Sequence, residues 1–152
     1  CELGFADCDK SFPNGCEVAL AGDPMNCGAC GKRCNVANGV GKCAMSMCSI
    51  DVCAAGFDDC NKDPNDGCEA NLNTNSNHCK MCGMACPTYP FSTPWCNAGM
   101  CDVTCNPGHG NCDLMPMNGC EVNVLTDAEN CGVCGTKCPM SKPNCVNGVC
   151  SL

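Results

Sequence analysis

The chain is short of nearly everything from which a conventional hydrophobic core is made. Its 152 residues include six leucines, one isoleucine, ten valines and four phenylalanines, with a single tryptophan and a single tyrosine. So few large apolar side chains bury too little surface to offset chain entropy, and without cross-links such a sequence leans towards disorder. Basic residues are scarce as well. Eight Lys and Arg stand against sixteen Asp and Glu, for a formal charge of −8, which argues against nucleic acid as a partner. No apolar run is long enough for a transmembrane segment, and no basic amphipathic helix suggests membrane binding, so membrane insertion is not expected. There is no Asn-x-Ser/Thr sequon. No Ser/His/Asp grouping, phosphate loop or paired-carboxylate cleft can be assembled, and so small a core leaves little room for a substrate pocket. No catalytic or cofactor-binding residue is therefore assigned, and an enzyme is not expected.

What the chain has is cysteine, 24 in all, with 17 glycines and 10 prolines. About one residue in six is cysteine, well above the level that marks a disulfide scaffold. The first eight are Cys1, Cys8, Cys16, Cys27, Cys30, Cys34, Cys43 and Cys48. Next come Cys53, Cys60, Cys68, Cys79, Cys82, Cys86, Cys96 and Cys101, then Cys105, Cys112, Cys120, Cys131, Cys134, Cys138, Cys145 and Cys150. From the first cysteine to the sixth, the three sets superpose at offsets of 52 and 104 without a gap. Within a repeat, length varies only between the sixth and seventh, with eight, nine and six intervening residues. The chain is thus three tandem repeats, 1–52, 53–104 and 105–152. Eight cysteines let each repeat close four bridges of its own, but allow 105 pairings among which spacing does not choose. Bridges at this density belong to an oxidising compartment, so the protein is expected to be secreted, extracellular or at a cell surface. Each contributes ~2–4 kcal/mol, chiefly by restricting the unfolded chain.

Regular structure must be short. Gly-containing turns open each repeat, at Gly4, Gly56 and Gly108, and recur at Asn14-Gly15, Asp66-Gly67 and Asn118-Gly119. A strand-like alternation follows through Cys16, Val18 and Leu20, with Glu17 and Ala19 on the other face. Asp23-Pro24, Asn75-Ser76 and Asp127-Ala128 are expected to cap one helical turn that runs into each CxxC. The last two cysteines of each repeat bracket a tight turn. Only Ser49–Val52 and Asp102–Thr104 separate successive lattices, too few residues for much hinge freedom. The expectation is a set of small disulfide-rich repeats with short β-strands and turns, stacked as three modules into a rod. Ser151-Leu152 repeats the phase of Ser49-Ile50, so the chain is expected to be a window of a longer array or to join end to end with further copies.

Three stretches carry a family likeness: Gly4-Phe5-Ala6-Asp7-Cys8-Asp9, Asn14-Gly15-Cys16-Glu17, and Asp23-Pro24-Met25-Asn26-Cys27-Gly28-Ala29-Cys30-Gly31. They resemble the tandem cysteine-rich repeats of large secreted and surface proteins, notably in myxobacteria. The part from Cys27 onward is also similar to the core of plant Stig1-type secreted domains. The likeness covers all three repeats. His109 departs from it in place of Phe, Asn111 in place of the first Asp, and Lys80 in place of Gly. What the resemblance implies is an exported, disulfide-bonded surface module with no enzyme chemistry attached.

Four groups of side chains are candidates for more than architecture. The Cys27-Cys30-Cys34 cluster and its copies have a metal-like look, but lack the fourth thiolate and second CxxC of zinc and iron–sulfur sites, so disulfides are the preferred reading. Asp7, Asp9, Asn14 and Glu17 are matched by Asp59, Asn61, Asp66 and Glu69, and by Asn111, Asp113, Asn118 and Glu121. Such oxygen sets are what calcium takes in extracellular modules. The plainer reading is that they hold turns while the glutamates face solvent, and the spacing lacks the Dx[DN]x[DN]G of calcium loops. His78 and His109 have no paired base or nucleophile and read as surface residues. The loop from Pro87 to Trp95 is rich in aromatics and proline. It reads either as a contact surface or as a cover for its repeat's small core, with Thr88, Ser92 and Thr93 suited to O-glycosylation. The methionines, at Met25, Met45, Met47, Met81 and Met84 among others, are expected to fill irregular contacts between repeats.

The function expected from these features is structural: a disulfide-stapled array building a fibril, appendage or surface coat. Its partners would be further copies of itself or adjoining repeats, and glycans. The alternative is a secreted adhesion or ligand-binding module stabilised by calcium. A single-module inhibitor or toxin is disfavoured by three near-identical copies.

Overall fold

Each repeat builds two small antiparallel ribbons, and the cysteines sew them together. The computed structural model describes residues 1–152 and contains twelve short strands with almost no helix. The chain divides into two units, Cys1–Leu72 and Asn73–Leu152.

In the first unit, β1 (Phe5–Ala6) pairs with β2 (Val18–Ala19), and β3 (Gly39–Ala44) with β4 (Met47–Cys53). The pair β5 (Phe57–Asp58) and β6 (Ala70–Asn71) repeats the first ribbon. In the second unit, β7 (Ser92–Asn97) pairs with β8 (Met100–Cys105), β9 (His109–Gly110) with β10 (Val122–Asn123), and β11 (Asn144–Val146) with β12 (Val149–Ser151). The helical content is one 3-10 turn, Pro116–Asn118. The alternation expected around Cys16 is present: Cys16, Val18 and Leu20 are half-buried while Glu17 and Ala19 are exposed.

The tight turns near each repeat's end are hairpin turns with both central residues left-handed, the arrangement that matches strand twist. Met45 and Ser46 have φ of 51° and 65°, Ala98 and Gly99 48° and 77°, and Asn147 and Gly148 50° and 77°. The first two of these ribbons are longer than the sequence suggested, while the third keeps three residues on each side of its turn. β3 reaches back into the variable loop, and β4 runs forward through Ser49–Val52 until Cys53 stands opposite Gly39. In the same way β8 carries Asp102–Thr104 and ends with Cys105 opposite Ser92. The linkers are therefore strand, and the boundaries at residues 52/53 and 104/105 fall inside hydrogen-bonded ribbons.

One pairing of the cysteines is realised. In the first repeat the bridges are Cys1–Cys16, Cys8–Cys30, Cys27–Cys43 and Cys34–Cys48. The third repeat has the same order: Cys105–Cys120, Cys112–Cys134, Cys131–Cys145 and Cys138–Cys150. In the second, Cys53–Cys68, Cys79–Cys96 and Cys86–Cys101 follow it, and Cys60 and Cys82 are disulfide-bonded as well. No cysteine is free. The core is mostly sulfur: apart from Ala70 and Val124, every buried residue of the core is a half-cystine.

Two expectations need correcting. All nine methionines are exposed, from 42% at Met84 to 100% at Met140, so none is packed into the interior. Asp23, Asn75 and Asp127 each start a single hydrogen-bonded turn, with the amides of Asn26, His78 and Asn130 donating to their carbonyls, but the turn does not continue as helix. The caps themselves form, with the amides of Met25, Asn77 and Glu129 donating to their side-chain oxygens. The chain then reverses, because the amides of Cys27, Cys79 and Cys131 donate forward to the carbonyls of Lys32, Met84 and Thr136, opposite to helix polarity. Left-handed residues at Gly28, Lys80 and Gly132 make that reversal, and Lys80 does so without a glycine's freedom at φ 75°.

Candidate functional site: acidic turns and repeat junctions

The acidic residues work first as turn holders. Glu17, Glu69 and Glu121 each accept the backbone amide of the cysteine nine residues earlier, Cys8, Cys60 and Cys112, at 2.9, 3.1 and 2.8 Å. Asn14 donates its side-chain amide to Asp9 at 2.9 Å, and Asn118 donates to Asp113 at 2.8 Å. In the second repeat the roles are exchanged, with Asn61 donating to Asp66 at 2.7 Å. Asp9 is held below the usual carboxylate range by Asn14 and by the amide of Ser11. Asp113 is lowered by the amide of Met115 and by Asn118. Bonds to the charged form cause both shifts.

Three carboxylates converge in the first repeat, where Asp7, Asp9 and Glu17 bring oxygens within 4.8 Å of one another. The sets around Asp59, Asn61 and Glu69, and around Asn111, Asp113 and Glu121, replace one carboxylate by an amide. Asp59 and Asn111 each keep a buried side-chain oxygen without a hydrogen-bond partner. The three turns thus share a scaffold; the first two carry three carboxylates each, with Asn and Asp exchanged at the second and third positions, and the third carries two. Sulfur clusters such as Cys27, Cys34 and Cys48 are neighbouring disulfides rather than thiolates.

His78 stands where the other repeats have Asn26 and Asn130, and does the same work. Its Nδ1 accepts the amide of Gly83 at 3.0 Å, as the side-chain oxygens of Asn26 and Asn130 accept Gly31 and Gly135. In the variable loop, Thr88 is exposed, Ser92 donates to the Tyr89 carbonyl, and Thr93 lies 3.4 Å from the Asn106 side-chain oxygen. Trp95 is 41% exposed on β7, opposite Asp102. Phe91 stacks on His109 with centroids 4.1 Å apart and planes 5° off parallel.

The most specific arrangement is the junction between successive repeats, which alignment of the lattices alone did not reveal. Within the first unit, the Ala37 carbonyl accepts the amide of Cys68 at 2.9 Å, and the Asn38 carbonyl accepts the amide of Ala54 at 2.7 Å. The Asn38 side chain returns a bond to the Cys68 carbonyl at 3.1 Å. Within the second unit, Pro90 accepts from Cys120 at 3.1 Å and Phe91 from Asn106 at 2.9 Å. Asn38 and Phe91 both adopt left-handed backbone, φ 51° and 53°, which aims the two carbonyls at the next repeat. Glycine is required on the receiving side. A Cβ on Gly67 would lie 2.6 Å from the Ala37 nitrogen, and one on Gly119 would lie 2.5 Å from the Pro90 oxygen. With the continuous ribbon, each junction is held by main chain on two sides, and variable side chains are free to differ around it.

Comparison with protein-family models, with curated proteins and with solved structures finds no match. The lattice itself is characteristic of an extracellular, disulfide-stabilised small protein, since bridges this dense do not persist in a reducing cytosol. No helix is long and apolar enough to cross a membrane.

Proposed function

We propose that the chain is an extracellular structural protein, a stiff disulfide-stapled repeat array that builds a fibril, appendage or cell-surface coat. The observation that carries this reading is the junction. Its pair of carbonyl bonds, its ribbon and its obligatory glycine are made twice, from loops of different length and composition. A contact built from main chain and kept while side chains change serves tiling. The likeness to tandem repeats of secreted and surface proteins agrees with it, and so does a core held by covalent bridges. Its partners in this reading are further copies of itself or adjoining repeats, and glycans, for which Thr88 is an exposed position. We do not propose a catalytic role.

A second reading, an adhesion or ligand-binding module, is favoured by the converging oxygens of Asp7, Asp9 and Glu17. Negative-stain electron microscopy of the native protein, with and without reductant, separates the two. Filaments that disperse on reduction are expected; discrete monomers at every concentration would favour the binding module.

A further inference from the structure

The junction inside the chain leaves one receiving face and one presenting loop without a partner in it. Gly15 occupies the place of Gly67 and Gly119, with φ of 69°, yet a Cβ there would meet nothing within 4 Å. Cys16 is partly exposed, whereas Cys68 and Cys120 are fully buried. An open depression of about 550 Å³ lies here, lined by Cys1, Glu2, Phe5 and Cys16. The presenting loop is that of the third repeat, where Met140 is 100% exposed and its neighbours are exposed on both sides.

The two surfaces match by position. Counted back from the seventh cysteine of each repeat, Met140 stands where Phe91 stands, and Lys142 where Thr93 stands. Counted forward from the first cysteine, Phe5 stands where His109 stands, and Glu2 where Asn106 stands. Phe91 stacks on His109, and Thr93 lies 3.4 Å from Asn106. Transposed to the unpartnered faces, these become Met140 over Phe5 and Lys142 beside Glu2. The first is a thioether–aromatic pair and the second an ion pair.

We propose that a second copy of this chain docks its third-repeat loop onto the Gly15–Cys16 face of the first repeat, reproducing the internal junction between molecules. The inference rests on the reading of the chain as an assembling structural protein, and identifies its contact. A head-to-tail contact of this kind does not close on itself unless its rotation happens to make a ring, so it propagates. The third loop is two residues shorter than the first, and Met140 lies outside the left-handed backbone of Asn38 and Phe91. Docking therefore includes a local rearrangement at Met140.

Sedimentation velocity of the full chain over a concentration series tests this. Gly15→Asn adds a side chain that tolerates left-handed backbone and fills the face; Gly31→Asn makes the same change at φ 75° on an equally open site elsewhere. The wild type is expected to grow in mass with concentration. Gly15→Asn should need about tenfold more protein to associate, the equivalent of ~1.4 kcal/mol, and Gly31→Asn should behave as wild type. Glu2→Lys and Lys142→Glu should each weaken association about fivefold, the upper range for an exposed pair, and their equimolar mixture should restore it. Association of Gly15→Asn equal to wild type would overturn the inference and leave the structural reading standing. A wild type that stays monomeric throughout would remove both. Retained melting temperature in each variant shows that folding is not the cause.

Discussion

The Ala37 carbonyl takes the amide hydrogen of Cys68 at 2.9 Å, and the residue before that cysteine carries no side chain because Ala37 occupies the space one would need. A half-cystine, a glycine and a loop carbonyl thus form a single contact between one repeat and the next.

Gly67→Ala should consequently destabilise more than Gly15→Ala. Both place a methyl on left-handed backbone, φ 83° and 69°, which costs ~1–2 kcal/mol. Only Gly67 adds a collision with Ala37. Thermal melts of the two variants should differ by several degrees, and equal melting temperatures would show that the junction yields without strain.

His109→Phe should stabilise. His109 stacks on Phe91 but keeps its Nδ1 buried without a partner. Phenylalanine retains the stack and removes the orphaned polar atom, a gain of about 1 kcal/mol. A lower denaturation midpoint in urea for the variant would mean that the imidazole makes a compensating bond.

Acid should loosen the turns. Asp9 is lowered mainly by Asn14, Asp23 mainly by the Asn26 side chain, Asp63 by the amide of Asn65, and Asp113 by the amide of Met115. A carboxyl depressed in the folded state stabilises above its unfolded pKa, and loses that contribution as pH falls through the folded value. The melting temperature should be flat from pH 7 to about pH 5 and decline below about pH 4. The groups are exposed, so the decline should be shallow. Asp113→Asn should flatten it further, whereas an unchanged profile in that variant would place the acid sensitivity elsewhere.

Calcium should leave the melting temperature unchanged. Asp9 already accepts hydrogen bonds on both oxygens, from the Ser11 amide and Asn14, and Glu17 accepts from Cys8. An ion would have to displace these bonds. A rise of several degrees with calcium, reversed by a chelator, would instead show that Asp7, Asp9 and Glu17 make the exchange.

Cysteine spacing made the threefold repeat and the cross-linked class legible, and Gly-containing turns with one alternating stretch marked turn positions and a short strand. The turn-holding roles of Asp9 and Asn14 were readable too, since they act within one short turn; that of Glu17 was not, because the Cys8 amide it accepts lies nine residues away. The long ribbons were not. Residues such as Gly39-Val40-Gly41-Lys42 show little apolar alternation, because a ribbon packed on disulfides has small apolar demands. Residues in the variable loops gave no sign that Ala37 and Pro90 share one task, since that task belongs to their carbonyls and not to their side chains.

Sequence by itself determined that bridges hold this chain and that three like modules follow one another. Tertiary structure alone decided which cysteine meets which, because pairing depends on where turns bring sulfur atoms, and many pairings share the same spacing. It alone decided that linkers become strand and that glycine at Gly67 and Gly119 receives the preceding loop. Those are contacts of backbone with backbone, and backbone is the part of a protein that its sequence of side chains describes least.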